Sequence, residues 1–282
     1  MTDRSAQSEP NRFPGLGTLL PGMWLLLIMT LAVTAPLLGL QDPAESDFLA
    51  LEIPPDAAHW LGTDKLGRDM LSRIIWGARV SLTVGLVAPG IAMFFGLMFG
   101  MIAGYYRGRT EAVISTSFDV LLAIPGLVLL LLFSTMFGGS IMTVSLSLGF
   151  LFIPGFARVA RATTLNFAER EFVVAAKASG ASDLRILLVE ILPNVIIPVA
   201  AFALIAVAGA IVVEGALSFL GLSVPAPIPS WGGAIAEGRE LLETAPHASL
   251  IPSAVMFLTV LSFNLVGDTI RSRYVDVREA VL

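Results

Sequence analysis

The sequence has 282 residues, of which 56% are hydrophobic and only 14% are charged, and its mean hydropathy is +0.84. Soluble domains carry about 25% charged residues, so most of this surface is expected to contact lipid. The net charge of −5 does not suggest nucleic-acid binding. The lack of cysteine excludes disulfides and thiolate metal sites, two histidines are few for a zinc site, and we expect no cofactor.

Six apolar segments are long enough, or nearly so, to cross a bilayer as helices, which takes about 20 residues. Prolines interrupt several of them, but membrane helices tolerate proline because neighbouring groups satisfy the freed carbonyls. The sequence therefore predicts an all-α membrane protein of about six transmembrane helices. The segments are Leu19–Leu40, Val80–Gly104, Ala112–Phe137, Ile141–Ala157, Val195–Leu220 and Leu250–Gly267.

The first segment is expected to be a retained anchor rather than a cleaved signal peptide. Its apolar stretch is longer than the roughly 7–15 residues of a signal-peptide core. Pro36 also follows the small residues Val33 and Ala35, which makes a poor cleavage context.

The distribution of Lys and Arg predicts that both termini are cytoplasmic, because cytoplasmic loops of membrane proteins carry an excess of these residues. The predicted organisation is a cytoplasmic tail (1–18), the anchor (19–40), an acid-rich extracytoplasmic segment (41–78), a core of five helices (79–270) and a second cytoplasmic tail (271–282). Five basic residues then lie outside, namely Lys65, Arg68, Arg73, Arg79 and Arg239. Twelve lie inside, namely Arg4, Arg12, Arg107, Arg109, Arg158, Arg161, Arg170, Lys177, Arg185, Arg271, Arg273 and Arg278.

A polar loop (166–193) separates the fourth and fifth predicted spans on the inside. Its first half is a helical pattern with several small side chains, and Gly180 suits the left-handed position that ends a helix. Ser182 can cap a second helix with Asp183 in its first turn, and Pro193 follows that helix. Small side chains let another backbone approach closely, which suits docking of a partner. An amphipathic helix resting on lipid headgroups explains the same pattern equally well.

Several motifs in this chain resemble those of one protein family. The heptad Val174-Ala-Ala-Lys-Ala-Ser-Gly180, with the later Leu192-Pro193, is similar to the EAA loop of ABC-importer permeases. Val174 stands where that family carries glutamate, and Glu171 lies about one helical turn earlier, where it could partly substitute. Further motifs between Trp60 and Tyr274 resemble the dipeptide/oligopeptide/nickel permease family. They are Trp60–Asp69, Gly77–Leu82, Leu217–Leu222, Pro229–Gly232 and Phe263–Asp268.

This resemblance implies a type I ABC-importer permease fold with a cytoplasmic coupling-helix loop, in a bacterial or archaeal cytoplasmic membrane. It implies a second homologous permease subunit, two ATP-binding cassette ATPase subunits and an extracytoplasmic solute-binding protein. The substrates implied are di- or oligopeptides, with nickel chelates or glutathione as alternatives in the same family. Rigid-body motion of the loop with its ATPase would shift the bundle between inward-open and outward-open states. The implied ATPase-docking residues are Glu171, Val174, Ala175, Ala176, Gly180, Ala181 and Asp183.

The chain is not expected to be an enzyme. It has no phosphate-binding loop of the Gly-x-x-x-x-Gly-Lys-Ser/Thr type, and its two lysines, Lys65 and Lys177, have no such context. Two other function classes stay open. A stand-alone secondary transporter or channel would be expected to carry a midplane ion site or an inverted repeat, and neither is evident. A membrane scaffold would not need prolines and glycines in most of its spans.

Two acids lie within the predicted spans, Asp119 in the third and Glu214 in the fifth. A carboxylate at the bilayer centre costs about 2.5–3.5 kcal/mol, so each is expected to face protein or water. Both are candidates for lining the substrate path. The interpretation we favour is a structural bond for Glu214 and a hydrogen bond to a helix end for Asp119. His59 and His247 are expected to be ordinary surface residues rather than nickel ligands.

Overall fold

The computed structural model describes residues 16–279, with side chains described from residue 17 to 272. The outer parts of the two predicted tails, 1–15 and 280–282, lie outside the described residues. Within this range the helices are α1 (Leu16–Thr34), α2 (Met70–Tyr106), α3 (Gly108–Ala123), α4 (Gly126–Phe137), α5 (Ile141–Ala168), α6 (Glu171–Ala178), α7 (Asp183–Arg185), α8 (Leu192–Phe219), α9 (Trp231–Gly238) and α10 (His247–Glu279).

Five helices of the described chain are long and apolar enough to cross a membrane, and the bent pair α3–α4 makes a sixth if it is one span. The predicted all-α architecture of about six spans is therefore confirmed. The pair bends by 79° at Ile124 and Pro125. Proline clashes with a helical conformation of the residue before it, and Ile124 is extended, with ψ 127°. The single helix expected over 112–137 is thus two helices.

Several helices are longer than hydropathy alone predicted. α2 begins at Met70, ten residues before the predicted segment, because the Asp69 carboxylate caps it by accepting from Ser72 N at 2.8 Å. α5 continues past Ala157 to Ala168, and α10 runs to Glu279, through most of the segment expected as a tail. Polar and charged residues at these helix ends lower the hydropathy without breaking the helix.

α2 is the centre of the bundle and packs along α5 through glycines. A Cβ atom added to Gly96 would lie 2.3 Å from Phe156 Cβ, and one added to Gly100 would lie 2.5 Å from the Ala157 carbonyl oxygen. At Gly104 the same atom would lie 2.8 Å from Thr164 Cβ. Glycines at every fourth position therefore bring the two backbones into contact, as small residues do in membrane helix pairs.

The connecting segments gather at two opposite ends of the bundle. The cap face carries residues 38–69 and 220–246, and the loop face carries the α2–α3 junction and residues 169–182. On the cap face Arg68 and Arg73 are almost fully buried, and both form ion pairs with Asp64 and with Glu237 of α9. This ion-pair cluster holds the turn-rich segment before α2 against α9.

Candidate functional site

The loop between α5 and the next span folds as a helix, a glycine turn and a second helix. α6 ends in a left-handed Gly180 with φ +78°, as predicted. Gly180 N donates to Lys177 O at 3.0 Å and Ala181 N donates to Ala176 O at 3.1 Å. These two bonds form the Schellman motif, which satisfies carbonyls at the end of a helix.

The second helix of this loop is not a separate short element, contrary to the sequence-based expectation. Ser182 caps it by accepting from Arg185 N at 3.4 Å, but the helix then continues without a break. α7, a π-helical stretch (Ile186–Ile191) and α8 together form one helix of 37 residues, Asp183–Phe219, called here the long helix. Pro193 does not end it because the π-helical stretch directly before it shifts the backbone hydrogen bonds, a local adjustment that accommodates proline inside a membrane helix.

The loop is fixed to the bundle by one buried anchor and by contacts with the end of α2. Val173 is fully buried in a cluster with residues of the long helix that include Ile186 and Ile191. Tyr105 Oη donates to Asp183 Oδ1 at 2.7 Å, and Lys177 Nζ lies 4.7 Å from the centre of the Tyr105 ring. Sequence reasoning missed Tyr105 because its partners lie more than 70 positions along the chain.

The seven predicted docking residues divide into two groups. Five of them face outward and two, Ala176 and Ala181, are half-buried against the core of the bundle. Beside the exposed group lie apolar side chains that the prediction did not include: Leu184 is 66% exposed and Phe172 is 40% exposed. The exposed predicted residues are Glu171, Val174, Ala175, Gly180 and Asp183. The loop face thus presents small and apolar groups bordered by charges.

Glu214 is completely buried near the cap-face end of the long helix. Its carboxylate accepts hydrogen bonds from the hydroxyls of Ser81 (3.1 Å), Ser218 (2.8 Å) and Ser223 (2.9 Å). Ser81 Oγ also accepts from Trp231 N at 3.2 Å. Glu214 therefore connects α2, the long helix and the first residue of α9, and in this structure it has no exposed surface toward a path.

Asp119 and Arg158 form an ion pair within the spans. Arg158 Nη2 donates to Asp119 Oδ1 at 2.7 Å, and the two side chains remain 58% (Arg158) and 64% (Asp119) exposed. Asp119 thus bonds a side chain of α5, not the helix end that we expected. The hydropathy-based segment ends at Ala157 and leaves Arg158 on the inside after the span, so the sequence reasoning could not identify it as a partner.

The ion pair borders a cavity of about 320 Å³ between α2, α3 and α5. Arg161 lies one turn further along α5, also lines the cavity and pairs with Glu111 of α3. Gly100 and Ala103 of α2 also line the cavity. Its lining combines two guanidinium groups, a carboxylate and apolar side chains.

Both histidines belong to the folded cap face and are not the surface residues that we expected. His59 Nδ1 lies 3.1 Å from Asp69 Oδ1 with only 12% of its side chain exposed, and His247 Nε2 lies 3.1 Å from Thr63 O. They are enclosed because the segment before α2 folds back onto the start of α10. Within the described residues no three His, Cys, Asp or Glu side chains come close enough to hold a metal ion.

A family model described as the binding-protein-dependent transport system inner membrane component matches residues 96–276, well over half of the chain. The chain belongs to this family. The expected membership of the ABC-importer permeases is thereby confirmed, and members of this family are transport permeases rather than catalytic subunits. The protein is accordingly a multi-pass membrane permease.

Named relatives of this permease share more than a third of its residues. The glutathione transport system permease protein GsiD of Pectobacterium atrosepticum is 38% identical over 252 residues, covering 89% of this chain and 83% of the relative. The dipeptide transport system permease protein DppC of Alkalihalophilus pseudofirmus is 36% identical over 265 residues, covering 94% and 86%.

Solved structures support the fold of the permease. A chain of the MetNI methionine ABC transporter, solved in inward facing conformations, superposes with a TM-score of 0.59 at 16% identity. The match covers 72% of this chain and 97% of that chain. The bundle architecture is therefore shared with an ABC transporter of known structure.

Proposed function

We propose that this permease is a transmembrane subunit of an ATP-driven importer of short peptides. It forms half of the translocation path together with a second homologous permease subunit. It couples to two separate ATPase subunits through the 166–193 loop, and an extracytoplasmic solute-binding protein delivers its substrate. The loop face is cytoplasmic in this proposal, as the excess of basic residues on the inside favours.

The observation that carries this proposal is the direct connection between the loop and the bundle. α6 is joined by a two-bond glycine turn to the long helix, which continues to the cap face without a break. Val173 and Tyr105 hold the loop against the ends of the neighbouring helices. A force applied to the exposed face of α6 is therefore transmitted to the bundle rather than absorbed by a flexible linker.

ATP hydrolysis is assigned to the partner subunits because the chain has no phosphate-binding loop. Each lysine of the chain has a different structural role, with Lys65 Nζ 3.5 Å from Glu240 and Lys177 over the Tyr105 ring. ATP binding to the partners can change the orientation of the bundle only through a different affinity for its two states. The loop is the element that would communicate this difference.

Short peptides are proposed as substrates because of the named relatives. One relative is a dipeptide permease and another is a glutathione permease, and glutathione is itself a tripeptide. A peptide with free termini is the chemistry that these two substrates share.

Replacing Gly180 tests the coupling role of the loop. Valine is strongly disfavoured at φ +78°, and holding a residue in such a region costs about 1–3 kcal/mol. Gly180→Val should therefore reshape the turn and lower ATP-driven uptake in proteoliposomes by about tenfold or more, while membrane insertion stays normal. Gly180→Asn should keep most of the uptake, because asparagine tolerates the left-handed region.

Gly221 provides a matched control on the cap face. It has φ +73° and, like Gly180, no atom within 4 Å of an added Cβ. Gly221→Val should carry a similar backbone cost without changing the amount of ATPase that co-purifies. Normal uptake by Gly180→Val at normal expression would contradict the coupling role. If the permease purifies as a homomer and transports without any ATPase, a secondary transporter is favoured instead.

A further inference from the structure

The ion pair between Asp119 and Arg158 lies toward the loop face of the bundle. α5 has 28 residues and is therefore about 42 Å long at 1.5 Å per residue. Arg158 is ten positions before the last residue of α5, about 15 Å from that end, and Asp119 is about 16 Å along α3 from its first residue. Both of these helix ends lie on the loop face, and the cavity beside the pair is lined by Gly100 and Ala103 near the loop-face end of α2, so the two charges lie in the loop-face half of the bundle.

Lipid is an unfavourable environment for this exposed pair. Charged side chains at membrane depth face the bundle interior, a partner or a water-filled cavity, because exposure to hydrocarbon costs several kcal/mol. Yet more than half of each side chain is exposed in this chain. α3 contains no buried residue at all, and it carries the hydroxyls of Ser115, Thr116 and Ser117. This side of the bundle therefore suits contact with water or with a partner protein better than contact with lipid.

The pair has unused capacity for hydrogen bonds. The bond within the pair uses one nitrogen of Arg158 and one oxygen of Asp119. An arginine has five N–H donors in a planar fork that matches a carboxylate, and an aspartate can accept about four bonds. Within the described residues neither side chain makes another bond, so Arg158 can receive a carboxylate while Asp119 receives an ammonium group.

We propose that Asp119 and Arg158 form a substrate-recognition station on the translocation path that is complementary to the two charged termini of a zwitterionic peptide. The adjoining cavity of about 320 Å³ is at the lower end of the size range of small-molecule sites. Without substrate the two charges neutralise each other, which keeps the path electrically balanced. This inference rests on the proposed function and names the substrate chemistry of that path.

Competition between the ion pair and the substrate also lowers the affinity of the station for peptide. A peptide gains its two charge-assisted bonds only by displacing or sharing the bond between Arg158 and Asp119. The net affinity is therefore small, which permits release on the far side. The station selects for free termini and not for particular side chains.

The test uses the complete transporter in proteoliposomes, with its binding protein, ATPases and second permease. The substrates are dialanine, dialanine amide and N-acetyl-dialanine. Uptake by each variant is divided by wild-type uptake of the same peptide, so that the preference of the binding protein cancels. Arg158→Gln should reduce dialanine uptake efficiency by about tenfold, the scale of one lost charge-assisted bond, but dialanine amide uptake by less than about twofold.

Asp119→Asn should give the corresponding result for the other terminus. It should reduce dialanine uptake by about tenfold but N-acetyl-dialanine uptake by less than about twofold. The exchange Asp119→Arg with Arg158→Asp should recover much of the dialanine uptake. Lys65→Gln, which removes an exposed ion pair on the cap face, is the matched control and should leave all three ratios near one.

Three results would overturn this inference. An equal loss for all three peptides would indicate a structural ion pair, and unchanged uptake would show that the pair is not on the path. Loss of the second permease from purified Arg158→Gln and Asp119→Asn complexes would indicate that the pair stabilises the interface between the two permeases. Failure of the wild type to take up any peptide with ATP would contradict the proposed function itself, which separates the two failures.

Discussion

Glu214 is a buried carboxylate whose partners are hydroxyls. Three serine O–H groups donate to it: Ser81 of α2 is 133 positions away in sequence, whereas Ser218 and Ser223 follow Glu214 by four and nine positions. Hydrogen bonds to a charged group contribute about 1.5–3 kcal/mol each when a partner is removed. The residue therefore links α2, the long helix and the segment leading to α9 by hydrogen bonds.

Replacing Glu214 should destabilise the permease without abolishing its fold. Glu214→Ala leaves three hydroxyls without their acceptor and opens a cavity, for a combined cost of about 2–4 kcal/mol. Glu214→Gln keeps an acceptor oxygen and should cost less. Thermal unfolding in detergent measures both. A change of substrate preference in Glu214→Gln with unchanged melting would instead return this residue to the substrate path.

Sequence reasoning succeeds at the residue scale when the determinant is local. The left-handed conformation of Gly180 is predictable because glycine follows a helical pattern and Ser182, which can cap the next helix, comes two positions later. Asp119 and its partner are 39 positions apart, and the burial of His59 depends on how a turn-rich segment packs on another helix. Those relations are set by tertiary contacts, which no local pattern records.

At the scale of elements, the pairing of α2 with α5 is the main contact of the bundle. Gly96, Gly100 and Gly104 are spaced four residues apart, a pattern that is visible in the sequence and typical of close helix packing. Hydropathy predicts the two spans but not their pairing. The spacing of small residues was the signal that could have indicated it.

Two glycine substitutions in α2 separate packing from helix propensity. Gly100→Ala places a methyl group 2.5 Å from the Ala157 carbonyl oxygen, and overpacking of this kind costs about 1–3 kcal/mol. Gly90→Ala is in the same helix with nothing within 4 Å, and should be neutral or stabilising by up to about 1 kcal/mol. Size-exclusion profiles after heating give the melting temperature of each variant. Equal melting temperatures would refute backbone contact between α2 and α5.

The helix boundaries show why hydropathy is a partial guide to elements. Pro125 breaks a span because the residue before it becomes extended, whereas Pro89, Pro154 and Pro198 lie within continuous helices. The composition of the segments is similar in both cases. What differs is packing, which depends on the complete fold: α2, α5 and α8 have many buried residues, whereas α3 has none.

At the scale of the molecule, the cap face and the side of the bundle formed by α3 differ in how well they are packed. The cap face is closed by buried ion pairs and packed turns, whereas α3 has no buried residue along its whole length. A membrane helix with hydroxyl and carboxylate groups is expected to find protein or water. The subunit therefore has one side that is completed only by assembly, in agreement with a proposed second permease.

The absence of cysteine from the chain permits a direct test of this assembly. Ser117→Cys on α3 should react rapidly with a maleimide in the isolated permease and several times more slowly when the second permease is present. Leu49→Cys, at a position 96% exposed on the cap face, should react equally in both samples. If the second permease slows labelling of both positions equally, or of neither position, then α3 lies away from the interface.

The uninterrupted 37 residues of the long helix amount to a rod of about 55 Å at 1.5 Å per residue. If such a rod pivots at one end, a tilt of only about 5° displaces the other end by about 5 Å, the length of one helical turn. One end carries Asp183 beside the loop and the other carries Glu214 and its serines. A small rotation of a partner under the loop would thus become a displacement large enough to move α9, and leverage of this kind requires stiffness rather than flexibility.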